Sequence, residues 1–148
     1  MLGIVGYGDR GERLVAGIVP LSADKRQVLL ISSTTRSAWV LPKGGWELDE
    51  DTIQDAACRE AWEEAGITVT IQKDLGYIDD WRTDDQLTTS APRAMYHFFE
   101  AIVQKQEDDW PESEKRTRQW MDYAKAAEAL KKRPELLDAL NRCTMYRA

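Results

Sequence analysis

The chain begins with short apolar runs separated by polar turns. Residues 14–19 (LVAGIV) and 28–31 (VLLI) are continuous apolar segments of strand length joined through the polar residues 22–27, which predicts two buried strands and a tight connection. Residues 39–41 predict a short strand that runs into Pro42-Lys43-Gly44-Gly45, where the paired glycines predict a turn. A helix is predicted over residues 53–65, because Thr52 followed by Asp55 reads as a capping box and Gly66 stands where a left-handed cap closes a helix. Beyond it, residues 68–71 and 75–81 predict strands, 82–92 a polar loop, 94–103 a long strand and 119–121 a short one. Residues 123–132 and 134–142 predict helices, with Pro134 suited to a first helical turn. Strands on either side of one central helix, followed by two more helices, imply an α/β fold with a mixed sheet covered on both faces.

The central helix carries the chemistry. A helix turns by about 100° per residue, so Glu60, Glu63 and Glu64 share one face. Cys58, Ala61, Trp62 and Ala65 project from the other side, which predicts that this stripe is buried and that the carboxylates look outward. Carboxylates this close raise one another's pKa and gain nothing from proximity unless a cation lies between them. Mg²⁺ meets that need, since it takes oxygen ligands octahedrally and commonly joins one or two carboxylates to substrate phosphates. Gly44 and Gly45 allow bare backbone to approach such an ion, so a carbonyl there, or that of Lys43, can complete its shell. Arg59, one turn before Glu63, can pair with it or with Asp51.

The spacing from Gly45 through Asp51 to Arg59-Glu60-Ala61-Trp62-Glu63-Glu64-Ala65-Gly66-Ile67 resembles the signature box of the Nudix hydrolases. Asp51 departs from it, standing where that family has Glu, and neighbouring Glu50 could substitute. The segment from Trp39 to Glu47 is similar to the fungal diphosphoinositol polyphosphate phosphohydrolases, which also cleave diadenosine polyphosphates. So are Arg13-Leu14-Val15-Ala16-Gly17, the turn Ser32-Ser33-Thr34-Thr35-Arg36, and the late segments Trp110-Pro111-Glu112 and Arg116-Thr117-Arg118-Gln119-Trp120. The resemblance implies an αβα sandwich and Mg²⁺, with Mn²⁺ as an alternative cofactor. It assigns Glu60 and Glu64, with Glu63 and a Gly44 carbonyl, to the metal. Glu63 would orient or deprotonate the attacking water, and Arg59 would hold the carboxylates. The implied reaction is hydrolysis of phosphoanhydride bonds in diphosphoinositol polyphosphates, diadenosine polyphosphates and inorganic polyphosphate.

Such substrates need cations around them. Arg13, Arg36, Lys43, Arg93, Lys115, Arg116 and Arg118 are the candidates, with Ser33, Gly44 and Gly45 as further phosphate contacts; Arg36, Lys43 and Arg118 stand out because they occupy matched motifs beside predicted strand ends, whereas Lys115 and Arg116 read as solvated charges. A nucleotide or RNA-cap pyrophosphatase is the rival enzyme reading. A module that only binds phosphorylated ligands is a rival of another class, disfavoured by the intact Glu60, Glu63 and Glu64. Trp39, Trp62 and Trp120 read as core, and His97, the only histidine, lies in a predicted strand.

Size and charge narrow the setting. A chain of 148 residues fits one domain, residues 1–148, expected to act as a monomer on a small anionic substrate. A net charge of −6 argues against general nucleic-acid binding. No apolar run reaches the length of a membrane span, and residues 1–7 are too short and uncharged for a secretory signal, so a cytoplasmic or nuclear protein is expected. Cys58 and Cys143 are expected to be free thiols.

Overall fold

The computed structural model describes residues 12–35, 37–47, 49–87 and 93–147. Arg36 and part of the expected loop at 82–92 lie outside the described residues. The elements follow as β1 (Arg13–Leu21), β2 (Val28–Ser32), β3 (Trp39–Val40), β4 (Lys43–Gly45), α1 (Ile53–Ala65), β5 (Ile67–Asp79), β6 (Ala94–Gln106), β7 (Arg118–Met121), α2 (Tyr123–Leu130) and α3 (Pro134–Arg142).

β1 is the axis of a mixed sheet. One edge runs parallel to β6, from the Arg13–Ala94 pair to the Leu21–Ile102 pair. The other edge is shared, with β4 antiparallel opposite Val15, Ala16 and Gly17 and β2 antiparallel at Leu21. Because Val15, Ala16, Ile18, Val19 and Leu21 are all buried although successive side chains point to opposite faces, the middle of the sheet is covered on both sides. The expected α/β arrangement with a mixed sheet is therefore present.

Three local expectations change. The two strands expected at 68–71 and 75–81 are one bulged edge strand, β5, which follows β6 through register shifts at Thr68/Val69, Ile71/Lys73 and Asp74/Tyr77. Its polar middle resembled a loop because an edge strand can face solvent. Gly44 and Gly45, expected as a turn, are extended residues of β4. On α1 the buried side is Ala56, Ala57, Glu60, Ala61 and Ala65, while Trp62 is 38% exposed and Cys58 half-buried. Alanines let the helix lie close to the sheet, and that close side includes Ala61 and Ala65, as expected, together with Glu60, so Glu60 turns inward while Glu63 stays partly exposed.

Both helix ends are closed as the sequence implied. Thr52 Oγ1 accepts from the Asp55 N–H at 3.1 Å, and Gly66 adopts φ 65° and ψ 35°. The C-terminal carbonyls, which a helix leaves without internal partners, are met by one strap, residues 107–118. Glu112 N–H donates to Glu63 O (3.1 Å), Trp110 Nε1 to Glu64 O (3.1 Å), Arg118 Nη1 to Ala65 O (3.0 Å) and Glu107 N–H to Gly66 O (2.9 Å). The Trp110 side chain packs against Gly66, where an added Cβ would stand 2.7 Å from its ring.

Gly66→Ala would combine a left-handed backbone with a clash against Trp110. It should lower unfolding free energy by about 2 kcal/mol or more. Urea denaturation measures this, and a loss below about 0.5 kcal/mol would contradict the role given to Gly66 and the strap.

Candidate active site

The carboxylates are positioned against a strand, β4, that carries no side chain at Gly44 or Gly45. A Cβ on Gly44 would fall inside the van der Waals envelope of the Glu60 carboxyl group, so only glycine leaves room for that group against β4. Glu60 is 8% exposed. Glu64, one turn later, accepts from the Lys43 N–H at 3.1 Å and lies 3.3 Å from Arg116 Nη2. Glu63 is more exposed and turns toward Arg59.

Arg59 organises the cluster from behind. Its Nη1 donates to Glu60 Oε1 (2.7 Å) and Glu63 Oε2 (3.0 Å), its Nε and Nη2 grip Glu50 (3.1 and 3.0 Å), and Nη2 also donates to Gly45 O (2.9 Å). Glu50, not the exposed Asp51, is therefore the acid paired with Arg59. The box then counts from Gly44, with its additional residue between Glu50 and Arg59.

That register also corrects the expected backbone ligand. Ile18 N–H donates to Pro42 O and Trp46 N–H to Leu14 O, so the alternation of an antiparallel ladder turns the Gly44 carbonyl toward β1. The carbonyls of Lys43 and Gly45 face the helix side. Gly45 O already accepts from Arg59, which leaves Lys43 O as the backbone oxygen best suited to a cation.

Electrostatics give the cluster its character. Burial, and then the charge of Glu64, push Glu60 up to about 7 despite Arg59. Burial also raises Glu64, against the pull of Arg116 and the Lys43 N–H. Burial and the nearby Arg133 bring Lys43 down to about 8. Among the described residues no three His, Cys, Asp or Glu side chains are gathered closely enough to hold a metal ion by themselves. The two buried carboxylates form an incomplete oxygen set whose mutual repulsion a divalent cation would relieve, which fits Mg²⁺, an ion that retains waters and takes up substrate oxygens.

These groups open into a cleft of about 910 Å³. Of the residues expected in the site, Arg13, Lys43, Gly44, Gly45, Glu60, Glu63 and Glu64 line it. Three are not brought there. Ser33 belongs to the β2–β3 connection, where its N–H donates to Ala38 O. Arg93 is turned to the carbonyls of Asp80 and Arg82 and to Asp84. Arg118 stacks 3.9 Å over Trp110 and donates to Ala65 O and Glu107 O, so its matched motif serves the strap and not a phosphate. Arg36 lies outside the described residues.

Other residues enter that sequence reasoning set aside or passed over. Arg116, read as a solvated charge, has a side chain only 9% exposed and bridges Glu64, Glu112 (2.8 Å) and Ser32 O (2.8 Å). Its signals in the sequence were its place at the head of the matched late segment and its four-residue spacing from Glu112. Trp81 and Arg82 after β5, Tyr96 of β6, and Lys132, Arg133 and Glu135 at the α2–α3 junction also line the cleft, brought in by topology and without a motif. His97 is buried outside it, bonded to Asp74 at 2.7 Å, stacked on Phe99 and tilted against Tyr77.

Comparison with known proteins agrees with this geometry. The NUDIX domain model matches residues 11–142. Among relatives, Nudix hydrolase 21, chloroplastic, of Arabidopsis thaliana is 39% identical over 82% of this chain, which spans 62% of that protein's length. Nudix hydrolase 16, mitochondrial, of the same plant is 37% identical over 88% of this chain and 78% of its own. A NUDIX hydrolase structure from Nitrosomonas europaea shares the fold at TM-score 0.73 and 17% identity, covering 88% of this chain and 87% of its own. The E. coli dihydroneopterin triphosphate pyrophosphohydrolase does so at TM-score 0.70 and 18% identity, covering 87% and 92%. Among the described residues no helix is long and apolar enough to cross a membrane. The family model and the plant relatives leave one assignment for a glutamate helix packed on a bare glycine strand: this chain belongs to the NUDIX domain family.

Proposed function

We propose that the protein hydrolyses phosphoanhydride bonds in small, phosphate-rich molecules with Mg²⁺, or Mn²⁺ in its place. Diphosphoinositol polyphosphates are the principal proposed substrates, with diadenosine polyphosphates and inorganic polyphosphate as further ones. The observation that carries this reading is the meeting of Glu60, Glu63 and Glu64 with Arg13, Lys43, Arg82, Lys132 and Arg133 on the walls of one cleft. Carboxylates gather a divalent ion, while a ring of cations gathers a polyanion.

Within this proposal Glu60 and Glu64, with Lys43 O, hold the ion, which when bound supplies charge neutralisation at the phosphate oxygens. Glu63, the most exposed of the three glutamates, is placed to orient or deprotonate the water, with Arg59 fixing its carboxylate. Arg116 keeps Glu64 aligned from its buried side. Arg13, Lys132 and Arg133 fix the phosphate chain for in-line attack. The proposed protein is a single domain acting as a monomer. Cys58 and Cys143 are both free, which favours a reducing compartment, the cytosol or nucleus in our reading. The chloroplastic and mitochondrial labels of the relatives describe those proteins.

Product mass analysis tests the reading with diphosphoinositol pentakisphosphate and diadenosine hexaphosphate side by side with Mg²⁺. The wild type should release phosphate from the first with the higher kcat/KM, and Glu64→Gln should lose at least about a hundredfold in turnover while remaining folded. Preference for the adenosine compound would overturn the inositol assignment. Near-normal activity of folded Glu64→Gln would overturn the metal assignment.

Glu60 also predicts a pH signature. Its folded pKa, about 7, lies above the ordinary 4.5, so the metal-free fold favours the protonated acid and loses stability as pH rises from about 4.5 through about 7. Wild-type Tm, measured against Glu60→Gln without metal, should therefore fall progressively between pH 5 and 8, and Mg²⁺ should restore it at pH 8. A constant difference between the two proteins across that range would contradict the strain assigned to Glu60.

A further inference from the structure

Among the described residues, Trp81 is the largest apolar side chain that the cleft presents to solvent, 63% exposed at its mouth. An exposed tryptophan is common on a floppy loop, but this one is carried on pinned backbone. The carbonyls on either side of it, Asp80 O and Arg82 O, both accept from Arg93 Nη1 at 3.1 Å. The Asp80 carboxylate, 1% exposed, takes the Arg82 guanidinium together with the N–H groups of Arg82 (3.0 Å) and Ala94 (2.9 Å). Burial works against its charge, yet Arg82 and the two backbone N–H groups hold Asp80 down at about 2, so this brace stays ionised at any working pH. A guanidinium and a buried carboxylate thus fix the segment whose middle side chain is left largely uncovered.

The chemistry of an indole face limits what can lie on it. Its quadrupole is negative above the ring, which repels phosphate and disfavours a cyclitol that carries phosphates all around. A flat, largely apolar ring is attracted, and a nucleobase is that ring joined to a phosphate chain. The cations of the same cleft, Arg13 and Lys43 among them, suit the chain.

We propose that Trp81 is a stacking platform for the base of a nucleoside polyphosphate whose phosphate chain runs along the basic wall toward Glu60, Glu63 and Glu64. The platform makes the cleft accept two kinds of polyanion, one held by charge alone and one held by charge and stacking. Arg93 and Asp80 are positioning residues for it and do not touch the phosphates. The chain's hydrolysis rests on the reading given above, whereas the stacking of the base does not.

Calorimetric titration with Mg²⁺ present tests the platform through two probes that cannot be hydrolysed: α,β-methylene adenosine diphosphate and methylenediphosphonate, which lacks the base. The wild type should bind the adenosine probe at least about tenfold more tightly than the bare one. Trp81→Ala should remove that margin and leave methylenediphosphonate affinity unchanged, while Trp81→Phe should keep most of it. In turnover, Trp81→Ala should raise KM for diadenosine tetraphosphate about tenfold with little change in kcat, and leave inorganic polyphosphate hydrolysis as it was. Unchanged binding of the adenosine probe, or an equal loss for both probes, would overturn the platform. A wild type that binds the adenosine probe by way of Trp81 but cleaves neither substrate would overturn the hydrolase reading and leave the platform standing.

Discussion

Two like charges held out of water on the same edge of one helix are the constraint on which this molecule turns. Glu60 and Glu64 lie one turn apart, both pushed upward by burial, and Glu60 is pushed further by the charge of its neighbour. The fold tolerates this because every surrounding element offsets part of it. Arg59 and Arg116 approach from two sides, the Lys43 N–H donates to Glu64, and β4 supplies no side chain that would push the carboxyl of Glu60 away. What remains uncompensated is the tendency to take up a proton or a divalent ion, the property that the proposed phosphohydrolase reaction requires.

Holding α1 still is the second half of the arrangement. Its C-terminal carbonyls, from Glu63 to Gly66, are each met by the strap of residues 107–118, so the helix end cannot fray without breaking several contacts together. The strap that closes the helix also delivers Arg116, held by Glu112, to Glu64, which links the stability of the helix end to the alignment of the carboxylates. Arg118, stacked on Trp110, belongs to the same device.

What was legible in the sequence was mostly local. The helix ends at Thr52 and Gly66, the shared face of Glu60, Glu63 and Glu64, and the apolar runs of β1 and β2 all follow from spacing within a few residues. The direction that face takes was not legible, because a 100° rotation per residue says which residues are neighbours and not which side a sheet covers; alanines made the carboxylate side the close one. Paired glycines signal either a bend or a close approach, and here Gly44 serves the approach. Arg116 was set aside as a solvated charge because its partner Glu64 lies far away in the chain and only the fold joins them. Arg118 and Arg93 carried the right charge in matched or nearby segments, yet backbone carbonyls and an aromatic ring had the stronger claim on them.

The most direct test of the account is Mn²⁺ affinity in Gly44→Ala, followed by the loss of free-ion paramagnetic resonance signal on titration. Gly44 has an ordinary extended backbone in β4, so alanine should leave the strand and the thermal transition nearly intact while its methyl group displaces the Glu60 carboxyl. The account predicts a fall in Mn²⁺ affinity of about tenfold or more, comparable to that of Glu60→Gln. A folded Gly44→Ala protein that binds Mn²⁺ as tightly as the wild type would contradict it.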